Sequence, residues 1–257
     1  MKKKAILVVS FGTTNDRGRA NNIDALSCYL RESFPDYHTA DAFTSGMVIR
    51  ALGKRGIEKD TVRQALAKLA AEQVEEVFIQ PSHIIAGIEY EKLLDEAKRF
   101  SAVFSCLTVA NPLLTKTEDY VRLAEILNRA YAVENGEALV LMGHGTSHGA
   151  NAAYPAFDYI CRDKGYRHIF IGTVEGYPCK QDVIRRVNEA GFTRVLLAPL
   201  MLVAGDHAVN DMAGAEPESW KNSFAARGYQ VRCLIRGLGE LAEVRQLYRD
   251  HLSAVLT

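Results

Sequence analysis

No apolar run in this chain approaches the ~20 residues that a membrane-crossing helix needs. The N-terminal MKKKAILVVSFGTT has the basic start of an export signal, but its apolar run, residues 5–9, is too short and no small-x-small cleavage site follows. No CxxC pair occurs. The five cysteines (Cys28, Cys106, Cys161, Cys179 and Cys233) are odd in number and irregularly spaced. They read as reduced core thiols in a reducing compartment, not as a disulfide framework or zinc cluster. An excess of charge of one sign is lacking too. Lys+Arg and Asp+Glu stand at 31 each, which gives no global field for nucleic acid or an anionic membrane. Neither a GxGxxG fingerprint nor a phosphate-loop Gly-Lys-Ser/Thr is present. These absences predict a cytoplasmic protein with no membrane and no nucleic-acid partner, in which any anionic ligand is met by local groups.

What is present is an alternation of short β-branched runs with helical patterns. Strands are predicted at residues 5–10, 38–43, 76–80, 103–109, 138–143, 168–172, 194–198 and 230–235. Most are continuously apolar, as expected of parallel strands covered on both faces. Nine helical segments lie between or after them; one is residues 60–72, with Asp60 as its expected N-cap. The pattern predicts an α/β fold with right-handed crossovers. The 257 residues are ample for one large domain or two ordinary ones.

The two halves also resemble each other. AILVVSFGTT (5–14) aligns with ALVLMGHGTS (138–147), and VFIQPSHIIAGIEYE (77–91) aligns with VLLAPLMLVAGDHAV (195–209). Shared Gly-Thr and Pro…Ala-Gly punctuation favours duplication over the mere likeness of buried strands. Two similar open parallel-sheet halves, 1–134 and 135–257, are therefore expected to face each other across a cleft. In such sheets ligands bind beyond the carboxyl ends of the strands.

The polar residues that follow the strands thus become the candidates. In the second half these are His144, Glu175 and His207. Loops after adjacent strands, ~5 Å apart, can bring such side chains together. Two imidazoles and a carboxylate suit a divalent transition metal and leave coordination positions open. In the first half, Ser10, Phe11, Thr13 and Ser45 follow strands, and Glu89 aligns with His207. The scaffold carries Phe11 where the second half has His144, so it does not demand a histidine there. His148 is expected to cap or rim the site, and Asp206 and Asp211 to cap a helix. The place of His83 stays open.

VVSFGTT, AFTSGMVIR, MGHGTSH, VEGYP and PLMLVAGDHAVNDMAG resemble the anaerobic-pathway cobalt chelatases, which insert cobalt into sirohydrochlorin during cobalamin synthesis. The similarity spans nearly the whole chain. It implies the class II chelatase fold of two similar α/β halves with a tetrapyrrole cleft between them. It also implies that His144, Glu175 and His207 are the metal ligands and His144 a catalytic base. The partners implied are sirohydrochlorin and a divalent metal, most directly cobalt, with iron and nickel left open, and no organic cofactor. Glu89 is added as a second proton acceptor, and Ser10, Phe11, Thr13 and Ser45 as tetrapyrrole contacts. The competing readings are a metal or tetrapyrrole carrier without turnover, and a metal-dependent hydrolase. Apolar helix faces leave a homo-oligomer open.

Overall fold

The structure is a computed structural model that describes residues 3–256. It contains two four-stranded parallel sheets. The first is built from β1 (Lys4–Ser10), β2 (His38–Phe43), β3 (Glu76–Pro81) and β4 (Cys106–Val109), in the order β2-β1-β3-β4. The second is built from β5 (Glu137–Gly143), β6 (Ile169–Thr173), β7 (Arg194–Pro199) and β8 (Gln230–Cys233), in the order β6-β5-β7-β8. Around the first run α1 (Asp16–Gly18), α2 (Ala25–Ser33), α3 (Gly46–Gly53), α4 (Val62–Ala71) and α5 (Ile88–Lys98). Then follow α6 (Thr117–Ala130), α7 (Ala153–Asp163), α8 (Lys180–Glu189), α9 (Trp220–Ala225) and α10 (Ala242–Ser253). Strands β1 and β5 have a neighbour on each side, and their cores AILVV and ALVLM are essentially without solvent contact. Burial on both faces is what their unbroken apolar runs specify.

The sheets agree in register as well as in order. Val9 pairs with Pro81 in the first, and Met142 with Pro199 in the second. Ser10 pairs with Phe43, and Gly143 with Thr173. The bonds that leave the sheets repeat too. Ser82 N donates to Val9 O and Leu200 N to Met142 O, each at 2.8 Å. Ser45 N donates to Phe11 O, and Glu175 N to His144 O. Leu113 N donates to His83 O and Leu238 N to Met201 O, each at 2.9 Å. Buried strands look alike for generic reasons, but loop bonds do not, so these repeats carry the case for duplication.

The compact units exchange helices relative to the expected division at 134/135. One unit runs to Thr115 and resumes at Ala242; the other is Lys116–Leu241. α6 packs with the second sheet's helices, setting the Tyr120 ring against Phe157 at 6.1 Å between centroids. α10 returns to the first sheet. Its fully buried Tyr248 donates its hydroxyl to Ser82 O at 2.8 Å, which satisfies a phenol that would otherwise be stranded.

Two local expectations also change. Residues 103–105 form a turn rather than the start of β4, and Val103 is more than half exposed, with no burial to reward its β-branched side chain. The cap of α4 is Thr61, not Asp60. Thr61 accepts from Gln64 N and its own N–H donates to Gln64 Oε1, a reciprocal capping box, while Asp60 pairs with Lys68.

The outer edge of β6 is closed by a buried carboxylate. Asp158 on α7 accepts from Ile171 N at 2.9 Å and from the guanidinium groups of Arg162 and Arg186. One side chain thus satisfies an edge-strand N–H and ties α7, β6 and α8 together. Asp158→Ala leaves the shielded Arg186 charge and the Ile171 N–H without a partner. We expect a loss of about 3–5 kcal/mol, read as a lower urea midpoint with an unchanged far-UV spectrum in buffer.

Candidate metal centre

The second sheet's central strand and its two neighbours each deliver one side chain to a single place. β5 ends at Gly143, where any Cβ would lie 2.3 Å from the Tyr154 ring, so only glycine lets the ring pack against the backbone there. His144 follows. Gly145 has φ +82°, and a Cβ there would lie 2.7 Å from Gly176 N and 2.8 Å from Thr173 Cβ. Only glycine lets the loop after β5 lie against the loop after β6. That second loop carries Glu175, whose N–H donates to His144 O at 2.8 Å. From β7 the chain reaches a wide π-helical turn, His207–Met212, with His207 as its first residue.

The three side chains converge. Ligand atoms of His144, Glu175 and His207 all lie within 4.8 Å of one another. The two imidazole centroids are 4.7 Å apart at 87°, and His144 Nδ1 is 3.8 Å from Glu175 Oε2. Among the described residues no other three His, Cys, Asp or Glu side chains gather so closely. The side chains are 49%, 58% and 34% exposed for His144, Glu175 and His207, so the centre is open on one side.

The hydrogen bonds fix which nitrogens can bind. His144 Nδ1 is 2.9 Å from Gly145 O. A carbonyl only accepts, so Nδ1 carries the proton and Nε2 keeps the lone pair. His207 Nδ1 is 2.6 Å from Asp211 Oδ2, which fixes the same tautomer there. Asp211 was expected as a helix cap; instead its carboxylate meets His207. The clue was present as a His-x-x-x-Asp spacing, but it points to a bond only once the segment is known to be helical. Asp206 occupies the N-cap position of that turn without a side-chain cap bond. His148 caps as expected, accepting from Ala150 N at 3.1 Å.

In the first unit the equivalent positions hold other chemistry. Phe11, Ser45 and Glu89 stand where the second has His144, Glu175 and His207. Ser10 is buried, with its hydroxyl 2.8 Å from that of Ser82. Ser45 is also buried and caps α3. Thr13 accepts from Asn15 N within its own turn, and Phe11 is 47% exposed. Glu89 opens α5, with Lys92 Nζ at 2.6 Å. Partial burial would raise its pKa, but the Lys92 ammonium and the Thr44 hydroxyl outweigh that and hold its carboxyl below the usual range. His83 is apart from these: both ring nitrogens are closed off from solvent with no hydrogen-bond partner, and the ring meets Tyr90 edge-on. Desolvation pushes it down to about 4, with the Glu89 charge acting in the opposite sense. Apolar side chains stand exposed after the strands of both units. These are Phe11, Met47 and Ile88 in the first, and Tyr177, Val209 and Ile235 in the second.

A family model described as cobalt chelatase (CbiK) matches residues 4–257. A sirohydrochlorin cobaltochelatase of Salmonella typhimurium is 44% identical over 256 residues, covering 99% of this chain and 97% of the relative. The sirohydrochlorin cobaltochelatase CbiKC of Nitratidesulfovibrio vulgaris is 35% identical over 261 residues, covering 100% of this chain and 92% of the relative. Among solved structures, SirB from Bacillus subtilis with Fe3+ superimposes with a TM-score of 0.65 at 13% identity, covering 98% of this chain and 94% of that one. CbiX, described as the terminal enzyme of siroheme biosynthesis in denitrifying bacteria, gives 0.62 at 17% identity, covering 99% and 100%. At these identities the two structures speak for the fold alone.

Two measurements probe this geometry. Gly145→Ala forces a left-handed residue and a clash with the Glu175–Gly176 backbone. It should cost about 1–3 kcal/mol and weaken Co2+ binding, as read by thermal melting and metal titration. His83 bears on acid stability. Its folded pKa lies below its unfolded value of 6.5, so the unfolded state binds the proton first as pH falls. Stability present above pH 6.5 should therefore fall between 6.5 and about 4, by at most ~1.4 kcal/mol per pH unit. His83→Phe should flatten that part of a stability–pH curve.

Proposed function

The chain belongs to the cobalt chelatase (CbiK) family, and from that premise we propose that it inserts Co2+ into sirohydrochlorin at the His144–Glu175–His207 centre. The observation that carries the site assignment is the convergence of those three side chains beyond the carboxyl ends of β5, β6 and β7. Two neutral imidazoles and one carboxylate provide three donors with borderline affinity, and their exposure leaves coordination positions for incoming pyrrole nitrogens. Cobalt is the substrate metal; iron and nickel are compatible with the same donors, and supply rather than ligand type separates them.

The reaction breaks two pyrrole N–H bonds, releases two protons and leaves Co2+ bonded to the four ring nitrogens, so that charge balances. In the tautomer set by Gly145 O, His144 has its proton on Nδ1 and its lone pair on Nε2. With Nε2 on the metal it has no lone pair left, so it holds Co2+ or accepts a proton, but not both at once. A separate acceptor is required, and Glu89 is our candidate. Of the first-unit residues expected at the tetrapyrrole, Phe11 and Thr13 offer surface to it. Ser10 and Ser45, buried with their hydroxyls in Ser82 and the α3 cap, are better read as supports of that loop. We place the chain in the cytoplasm on its five free thiols; among the described residues no helix is long and apolar enough to cross a membrane.

The test follows the absorbance of purified sirohydrochlorin with Co2+. His144→Ala and His207→Ala should each lower kcat/KM at least as far as loss of a supporting group would, about 10–100-fold. Glu89→Gln should lower kcat by about 10^2-fold with Co2+ affinity retained. Full activity in both histidine variants would remove the site assignment. Stoichiometric binding with no acceleration over spontaneous insertion would make the protein a carrier.

A further inference from the structure

We propose that Asp211 is the positioning residue of the metal centre, acting through His207: its carboxylate holds the proton of His207 on Nδ1 and turns Nε2 toward the metal. The inference rests on the reading of His144, Glu175 and His207 as ligands, and adds to it a residue with no place in the ligand set.

The geometry is direct. Asp211 Oδ2 is 2.6 Å from His207 Nδ1, short even for a charge-assisted bond. Asp211 is 47% exposed and, among the described residues, makes no other hydrogen bond or ion pair. It does no capping, and the turn that carries it closes without its side chain: Ala213 N donates to Ala208 O, and Gly214 N to Asn210 O. His207 and Asp211 both lie on the π-helical turn His207–Met212, where the fourth residue on comes almost one full turn round. Single π-helical turns often occur at functional sites. Gly214 lets the turn end tightly, since a Cβ there would lie 2.2 Å from Asn210 O.

The repeat supplies an independent argument. The position equivalent to Asp211 is Leu93, which lies on α5 and is buried in the core of the first unit. The common scaffold therefore fills this position with an apolar side chain where its partner residue is Glu89. An exposed acid replaces it in the half where the partner is His207. That change goes with the imidazole, not with the fold.

A neutral imidazole has two tautomers, and only the Nδ1–H form leaves Nε2 free to bind. A carboxylate on Nδ1 selects that form, orients the ring and strengthens Nε2 as a donor. Asn at 211 can still accept the N–H through its carbonyl oxygen but brings no charge. Ala does neither.

The experiment is Co2+ titration of the full chain, without tetrapyrrole, followed by calorimetry and by the visible spectrum of bound cobalt. Asp211→Ala should weaken Co2+ binding about 10–100-fold; Asp211→Asn should recover part of the loss. In a His207→Ala background, Asp211→Ala should have no further effect. Nitrogen-15 NMR of the metal-free protein should place the His207 proton on Nδ1 in the parent and move it toward Nε2 in Asp211→Ala. Unchanged affinity and an unchanged tautomer in Asp211→Ala would overturn the proposal. So would an equal loss in the His207→Ala background, which would make Asp211 a ligand or a general charge effect. If His207→Ala itself left Co2+ binding intact, the failure would belong to the ligand assignment and not to Asp211.

Discussion

The candidate metal centre is built around a single backbone hydrogen bond, from Glu175 N to His144 O. This bond joins the loops after β5 and β6 and holds two of the three candidate ligands at fixed spacing. It forms only because Gly145 has no Cβ, since any side chain there would meet the Gly176 amide. The third candidate arrives from β7 on the opposite side of β5. The order β6-β5-β7 therefore dictates that a site fed by three strand ends is centred on the residue after β5. His144 is that residue.

The same bond exists in the first unit, from Ser45 N to Phe11 O, with no metal site around it. The scaffold is thus indifferent to what its loops carry. Residues equivalent to His144, Glu175, His207 and Asp211 are Phe11, Ser45, Glu89 and Leu93. The duplicated half retained the geometry and filled it with apolar, capping and acidic side chains. The chemistry is thus separate from the fold: one half gathers two imidazoles and a carboxylate, and the other carries an apolar side chain, a capping serine and a single acid at the same places.

How far the sequence spoke depended on the range of the interaction. All eight strands are legible because burial on both faces writes a continuous apolar run. His144, Glu175 and His207 are legible because strand-end loops are where an α/β sheet exposes polar groups. The register argument singled out Glu89 as a candidate, and the repeat alone argued that histidine was not a structural need of the strand. What was illegible depends on contacts between elements distant in sequence. α6 and α10 look like ordinary helices of the nearest half, and only the Tyr120–Phe157 ring contact and the Tyr248–Ser82 bond assign them. Asp60 and Thr61 are both good caps, and the choice fell to Thr61 because Gln64 stands three residues after it. Ser10 looked available at a strand end, yet its partner Ser82 comes from the neighbouring strand's loop.

The exposure of the three candidate ligands agrees with the proposed passage of a metal through the site. A resident metal is best held by closed, buried ligands, because desolvation strengthens every bond to it. A metal in transit is held badly by such a site, since the ligand bonds must break as the macrocycle's nitrogens take over. Three donors about one-third to three-fifths exposed meet the second need. The cost is weaker capture, and the bond between Asp211 and His207 offsets it without closing the site. It strengthens one donor from behind and leaves the open face free. Together the pair brings two negative charges, from Glu175 and Asp211, toward a doubly charged ion. With Co2+ held as proposed, those two charges would balance the ion's own.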